Sequence, residues 1–326
     1  MLRIYEYIWG AKPNSYIRMI AIRYSLISAM LLSALFAHSQ IPATEIYLID
    51  LDNHGSHSHT GKPKNISNSK GYDSQPCFSK EGNAILFTSI RNGTQADVYE
   101  YQTVNDQVVQ ITTTPESEYS PTFMDDGIHF STVRVEKDSA QRLWQFSLTG
   151  KEKPVRILEK SVDSVGYHCW YAKDKLALFI LTEPVSLQLA EVGKWQTHIE
   201  AEKVGRCMVK ARDEKSFYFV DKSDTAQYYI SKYSKGGLQL DNGAIQFGNN
   251  QTIEKLFPTV KGNEDFCITP EGNFIMAKES SIYMLSPATK IWTPLADLKS
   301  EGITGITRVA ISPDGKRLAI VAKEGE

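Results

Sequence analysis

Arg308-Val-Ala-Ile-Ser-Pro-Asp-Gly315-Lys-Arg-Leu-Ala-Ile-Val321 is the stretch whose reading decides the fold. An apolar segment runs into Ser-Pro-Asp-Gly, and a second apolar segment starts at once. Proline fixes φ and glycine supplies a positive φ, so the four residues form a tight turn. The flanking segments are then the two strands of a hairpin. The same unit stands at Asp265-Phe-Cys-Ile-Thr-Pro-Glu-Gly272-Asn-Phe-Ile-Met276. It stands again at Tyr72-Asp-Ser-Gln-Pro76-Cys-Phe78-Ser-Lys-Glu-Gly82-Asn-Ala-Ile-Leu-Phe87 and at Glu118-Tyr-Ser-Pro121-Thr-Phe123-Met-Asp-Asp-Gly127-Ile-His-Phe-Ser131. Pro76 to Pro121 and Gly82 to Gly127 are both 45 residues apart. Two weaker copies lie between, at Gly166–Phe179 and at Gly205–Val209 with Ser216–Val220.

Each hairpin is followed by a third segment with a Tyr or Trp, such as Asp97-Val-Tyr-Glu-Tyr101 and Leu143-Trp-Gln-Phe146. Six copies share the 287 residues from Gln40 onward, or about 48 each, a propeller period. The expected fold is all-β: a six-bladed β-propeller. The sixth copy ends after its second strand, and Thr44-Glu-Ile-Tyr-Leu-Ile-Asp50 looks like the missing outer strand. Pairing that N-terminal strand with the C-terminal blade would close the ring and protect its edges.

The Ser-Pro-Asp-Gly-Lys-x-x-x-Ala pattern at 312–319 and Pro-x-Phe-Ser-x-x-Gly at 76–82 resemble the WD40-like repeat of TolB propellers, often called PD40. The resemblance covers roughly residues 44 to 321. It is strong in copies one, two, five and six and weak in three and four. It implies a propeller, an exported location, and binding rather than chemistry. TolB proteins also carry an α/β domain ahead of the propeller. Nothing of that size precedes Thr44, so a role in the Tol machinery is not expected to carry over.

The N-terminus reads as a targeting segment. Arg3, Lys12, Arg18 and Arg23 face Glu6 alone, Leu26–Phe36 is an apolar run, and Ala37-His-Ser39 offers small residues for cleavage. Those features make a secretory signal, with a mature chain from about Gln40. An uncleaved anchor is the alternative, although the run is short for a membrane span. Met19 suits such a signal better than Met1, which would make residues 1–18 an upstream extension. Expected domains are therefore 1–39, a signal segment, and 40–326, one propeller, periplasmic or secreted and monomeric. Beyond residue 39 the chain carries 32 basic and 37 acidic residues. That mildly acidic body has no nucleic-acid footprint.

In a propeller the first strand of each blade lines the central channel. Aligned on the turns, the candidate rim is Asp73, Glu118, Tyr167, His168, Arg206, Glu264, Asp265 and Arg308, with Gln75, Ser120 and Thr307 beside them. Scaffold positions repeat, whereas these vary in residue type, as a ligand-binding ring would. The plainer alternative is that they bind only water and one another. The rim is expected to be solvated, so changes there should cost little stability.

No cofactor and no metal are expected. His54, His57 and His59 lie in a Gly/Ser stretch and read as a solvated loop, although His-rich tracts can bind Zn²⁺ or Cu²⁺. Cys77, Cys169 and Cys267 fall five residues before the turn position in alternate copies, with Cys207 near it in the fourth. Equivalent sites in alternate blades stand too far apart to bridge. They are expected to be buried free thiols filling the core. No G-x-S-x-G elbow, P-loop or G-x-G-x-x-G occurs. The leading functional expectation is a non-catalytic exported protein that holds an envelope protein, peptide or glycan. The alternative is a small lyase or hydrolase at the channel mouth, with His168 as base and Arg206 or Arg308 stabilising an anion.

Overall fold

The turn motif folds as its residues dictate. In a computed structural model, Gly82, Gly127, Gly272 and Gly315 have φ of 71°, 73°, 91° and 73°. Each donates its N–H to the carbonyl three residues back, Gly315 to Ser312 at 2.9 Å. A side chain at Gly315 would also strike Pro270 of the preceding copy, with a Cβ 2.9 Å from its Cδ. The weak third copy turns more tightly, with Ala172 opposite Lys175, and puts Asp174 in the left-handed conformation at φ 56°, which aspartate tolerates. The structure describes residues 42–51, 59–91, 93–213, 215–235, 238–239, 245–246 and 251–324. Residues 1–39, expected from the sequence to be a signal segment, lie outside them, as do His54 and His57. His59 is described only as the start of a strand.

The chain is built from antiparallel meanders. The N-terminal segment gives β1 (Thr44–Leu51) and β2 (His59–Asn65). The first meander is β3 (Tyr72–Phe78), β4 (Ala84–Ile90), β5 (Asp97–Gln102) and β6 (Gln107–Gln110). The second is β7 (Ser117–Phe123), β8 (His129–Val135), β9 (Gln141–Ser147) and the short β10 (Val155–Arg156). The third is β11 (Val165–Ala172), β12 (Lys175–Ile180), β13 (Ser186–Glu191) and β14 (His198–Glu202). The fourth is β15 (Val204–Lys210), β16 (Ser216–Asp221) and β17 (Tyr229–Lys235). A small ribbon follows, β18 (Leu238–Gln239) with β19 (Ile245–Gln246), and then β20 (Gln251–Pro258) completes the sheet. The fifth is β21 (Phe266–Ile268), β22 (Phe274–Lys278), β23 (Ser281–Leu285) and β24 (Trp292–Asp297). The C-terminal hairpin is β25 (Arg308–Ile311) and β26 (Arg317–Lys323).

β1 pairs with β26 in continuous antiparallel register, from Thr44 opposite Lys323 to Asp50 opposite Arg317. β2 pairs with the other edge of β1. A single parallel bridge, Thr44 to Tyr72, links this group to the first meander and makes one eight-stranded sheet.

Several second strands are near-continuous apolar runs because both faces of each sheet are covered. Ile85-Leu86-Phe87, Leu176–Ile180 and Leu318–Ala322 are all buried. The core lies between consecutive meanders. Leu86 and Val98 meet Phe130 and Phe146; Val133 and Leu143 meet Leu176 and Leu178. Phe179 and Leu187 meet Phe217 and Tyr233; Val220 and Ile230 meet Phe274 and Leu285. Ile275 and Ala277 meet Leu318 and Ile320. Ile46, Ala319 and Val321 then meet Ile85, Phe87 and Tyr99, so the last strands pack on the first meander. Residues 42–326 form one compact unit. Among the described residues no helix is long and apolar enough to cross a membrane.

Candidate functional site

The first strand of every meander, and β25 of the C-terminal hairpin, line a single cavity of about 670 Å³. Gln75, Ser120, Asp265 and Arg308 stand seven residues before the turn glycines Gly82, Gly127, Gly272 and Gly315, and Tyr167 and Arg206 stand seven before Asp174 and Asp213 of the two turns without glycine. All six line the cavity, and its lining on these strands starts at that layer and runs toward the turns. At the turn end Asp125, whose side chain is 89% exposed, brings the cavity to solvent.

The charged side chains of this layer meet. Arg308 Nη2 donates to the Tyr167 hydroxyl at 2.8 Å, and its guanidinium lies 5.1 Å from the Tyr167 ring centroid. Arg308 Nη1 stands 3.4 Å from Asp265 Oδ2. Asp265 Oδ1 accepts the Val309 N–H at 2.9 Å, a stitch between neighbouring meanders. Gln75 Oε1 makes the same kind of stitch with the Ser120 N–H at 2.8 Å. Arg206 Nη2 donates to the Thr307 carbonyl at 3.2 Å, while its Nε lies 4.0 Å from Asp265 Oδ2. Arg206 Nε is buried and has no hydrogen-bond partner among the described residues.

The electrostatics follow from burial. The Asp265 side chain is 7% exposed and that of Arg308 12%, so the expectation of a solvated rim is corrected for both. Burial pushes the Asp265 carboxyl above the usual range, against the pull of Arg308, Arg206 and the Val309 N–H. Burial also works against the Arg308 cation, but Tyr167, Asp265 and Tyr72 hold its pKa above the ordinary value. With two guanidinium groups to one carboxylate, the layer carries a surplus positive charge.

His168 lies beside this layer and is 8% exposed. Its Nε2 is 2.7 Å from Ser131 Oγ, which also accepts the Trp170 indole N–H at 2.9 Å. Its Nδ1 has no partner among the described residues. Burial lowers the imidazole pKa to about 3, so the ring is neutral at physiological pH and a weak base.

Three candidate rim residues do not join the cavity lining. Asp73 is fully buried at the start of β3, where Ser69 donates to its Oδ2 at 2.8 Å, and burial raises its pKa. Glu118 is its counterpart in β7, bonded to Thr114 and 3.8 Å from Arg134 Nε, with burial raising its pKa to about 7. Glu264 pairs with Lys222 at 3.0 Å. The residues two places on, Gln75 and Ser120, face the cavity instead. Both adopt a left-handed backbone, φ 61° and 55°, at a bulge in β3 and β7.

The four cysteines are free, as their spacing suggested, and all four line this cavity. Cys169 and Cys267 are buried, and Cys77 and Cys207 half-buried, so the last two are wall residues rather than core fillers. Cys207 Sγ–H donates to the Phe266 carbonyl at 3.2 Å. Burial pushes the Cys169 thiol up to about 12 and raises the other three. Among the described residues no group of three or more His, Cys, Asp or Glu side chains is arranged to hold a metal ion.

No family model matches the sequence, and no curated protein matches it. Solved structures do resemble it. A putative TolB from Agrobacterium tumefaciens superposes with a TM-score of 0.62 at 11% identity, over 87% of this chain and 99% of that one. TolB from Acinetobacter baumannii gives 0.54 at 12% identity, over 92% and 69%. A gluconolactonase from Xanthomonas campestris gives 0.56 at 7% identity, over 88% and 99%. At these identities the likeness shows the fold, a TolB-like β-propeller, and nothing finer.

Proposed function

We propose that this chain is an exported, six-bladed propeller of the PD40 kind that binds a ligand at its channel without transforming it. The ring would be sealed where β1 pairs with β26, a reading supported by apolar clusters between every consecutive pair of meanders and between the last strands and the first. Export rests on the residues before Gln40 and on the TolB-like fold.

The observation that carries the functional reading is the layer of Arg206, Asp265, Arg308 and Tyr167. An anionic group would supply the acceptor that Arg206 Nε lacks, and a guanidinium offers it a bidentate contact. The propeller fold hosts both binders and enzymes, so it does not decide between them. The state of His168 does bear on it. The alternative of a lyase or hydrolase casts His168 as the base, and a base works best when poised near neutrality, whereas burial lowers the His168 pKa to about 3. Binding is therefore the reading adopted, with a protein, peptide or glycan of the envelope as the partner class. Capture from envelope extract and on a glycan array, by wild type and by Arg206→Ala, tests it. Loss of the captured species in the variant is expected. Capture that is unaffected by Arg206→Ala would place the site elsewhere.

A further inference from the structure

The cavity has two layers of different chemistry. Seven residues before the turns stands the charged layer. Four residues before them stand Phe78, Phe123, Trp170, Val209, Ile268 and Ile311, one from each lining strand, all apolar, half-buried and lining the cavity. Three residues separate the layers, roughly 10 Å along a strand. The apolar collar is nearer the turns, where the cavity reaches solvent. The charged layer ends the lining at the other side. A molecule entering from the turn side would pass the collar before it meets the guanidinium groups.

The deep layer is short of acceptors. Arg206 Nε carries a hydrogen and donates it to no described residue. Tyr167 Oη accepts from Arg308, and its own hydrogen has no acceptor among the described residues. Ser131 Oγ lies 2.7 Å from His168 Nε2 and 3.4 Å from the Thr122 carbonyl. His168, which also lines the cavity, has no hydrogen-bond partner at Nδ1 among the described residues. Unmade hydrogen bonds on buried groups are costly, and an incoming acceptor would relieve them. Two guanidinium groups and one carboxylate leave one surplus positive charge, the complement of a monoanion.

We infer that the ligand is a monocarboxylate on an apolar stem, seated carboxylate-first with its stem in the collar. This rests on the channel reading above and names its ligand chemistry. A free aliphatic acid and the carboxyl terminus of a peptide with apolar last residues share that chemistry. A phosphate dianion exceeds the charge of the layer, and a sugar acid offers the collar hydroxyls in place of an apolar stem.

Calorimetric titration with octanoate, with octanol, with galacturonate, and with an acetylated Leu-Leu-Leu peptide as free acid and as amide tests this. Thiol-labelling rates give a second readout, because all four cysteines line the same wall. Octanoate or the free-acid peptide should bind and slow labelling. Whichever of the two binds names the source. Octanol, galacturonate and the amide should bind at least roughly tenfold more weakly, the scale of a lost charged hydrogen bond. Arg206→Ala should cost a similar factor. Arg206→Lys, which keeps the charge and loses the Nε–H, should fall between, and thermal melting verifies that both variants fold. Octanol binding as well as octanoate, or octanoate binding unchanged in Arg206→Ala, would overturn the inference. If neither carboxylate binds while capture from envelope extract still depends on Arg206, the ligand chemistry is wrong and the channel site stands. If capture is also independent of Arg206, both fail.

Discussion

Arg308 donates to the Tyr167 hydroxyl at 2.8 Å, joining two residues 141 positions apart from the third meander and the C-terminal hairpin. The contact is possible only because the lining strands converge on one cavity. It makes the deep end of that cavity a cross-braced layer rather than an open ring of solvated side chains. Asp265 is the counter-charge on which the brace depends.

Removing that counter-charge should therefore be costly. Asp265→Ala leaves Arg308 almost wholly buried with no carboxylate, and losing one partner of a buried pair costs about 3–5 kcal/mol. Asp265→Asn keeps an oxygen for the Val309 N–H and should cost less. Urea unfolding of the two variants checks this. Equal and small losses, about 0.5 kcal/mol or less, would mean that the pair is effectively solvated.

Glu118 should make the stability depend on pH near neutrality. Its folded pKa of about 7 stands above the unfolded value of 4.5, and burial is the main cause. The stability it contributes is fully present below pH 4.5 and is lost as pH rises through 7. The unfolded chain releases the proton first over that interval. The full loss is on the order of 3 kcal/mol. Glu118→Gln removes the titration, so melting of the variant relative to wild type should improve between pH 5 and pH 8. A variant that weakens relative to wild type as pH rises would show that Arg134 holds Glu118 ionised.

β1 should be indispensable although it lies at the chain's edge. Ile46 packs with Ile85 and Phe87, and Ile49 packs with Ile275 and Leu318, so one strand serves two clusters. Ile46→Ala should cost about 2–5 kcal/mol. Deleting Thr44–Asp50 should expose the β26 edge and cause aggregation. An unchanged melting curve after the deletion would remove the closed-ring proposal.

The thiols should titrate as four free groups. Denaturation without reductant should yield four equivalents of label. In the folded protein all four should react slowly, because burial raises every thiol pKa, with half-buried Cys77 and Cys207 ahead of Cys169 and Cys267. A count of two or zero would reveal disulfides.

The fold was legible because its signals are local. Ser-Pro-Asp-Gly states a turn outright, and apolar runs on both sides state two strands. Copies three and four read weakly for a physical reason: neither turn has a glycine, the third placing Asp174 in the left-handed conformation and the fourth being capped by Asp213 through the Ser216 N–H at 2.9 Å. The site was only half legible. Tyr167, His168, Arg206, Asp265 and Arg308 were singled out and do come together. Asp73, Glu118 and Glu264 were placed on the same rim although they precede it by one or two residues. The bulges at Gln75 and Ser120 change which side chains face inward, and strand alternation does not anticipate a bulge. Four of the six layer residues stand seven places before a turn glycine, a spacing that is legible in the sequence. The brace between Arg308 and Tyr167 had no sequence signal, since nothing local links residues so far apart.

The most direct test of the channel assignment is the affinity of Arg206→Ala beside Trp195→Ala for whatever species wild type captures from envelope extract. Trp195 is 70% exposed, between β13 and β14 and away from the channel lining. The account predicts that Arg206→Ala weakens binding by roughly tenfold or more while Trp195→Ala binds as wild type. Wild-type affinity in Arg206→Ala, with binding lost in Trp195→Ala, would contradict it.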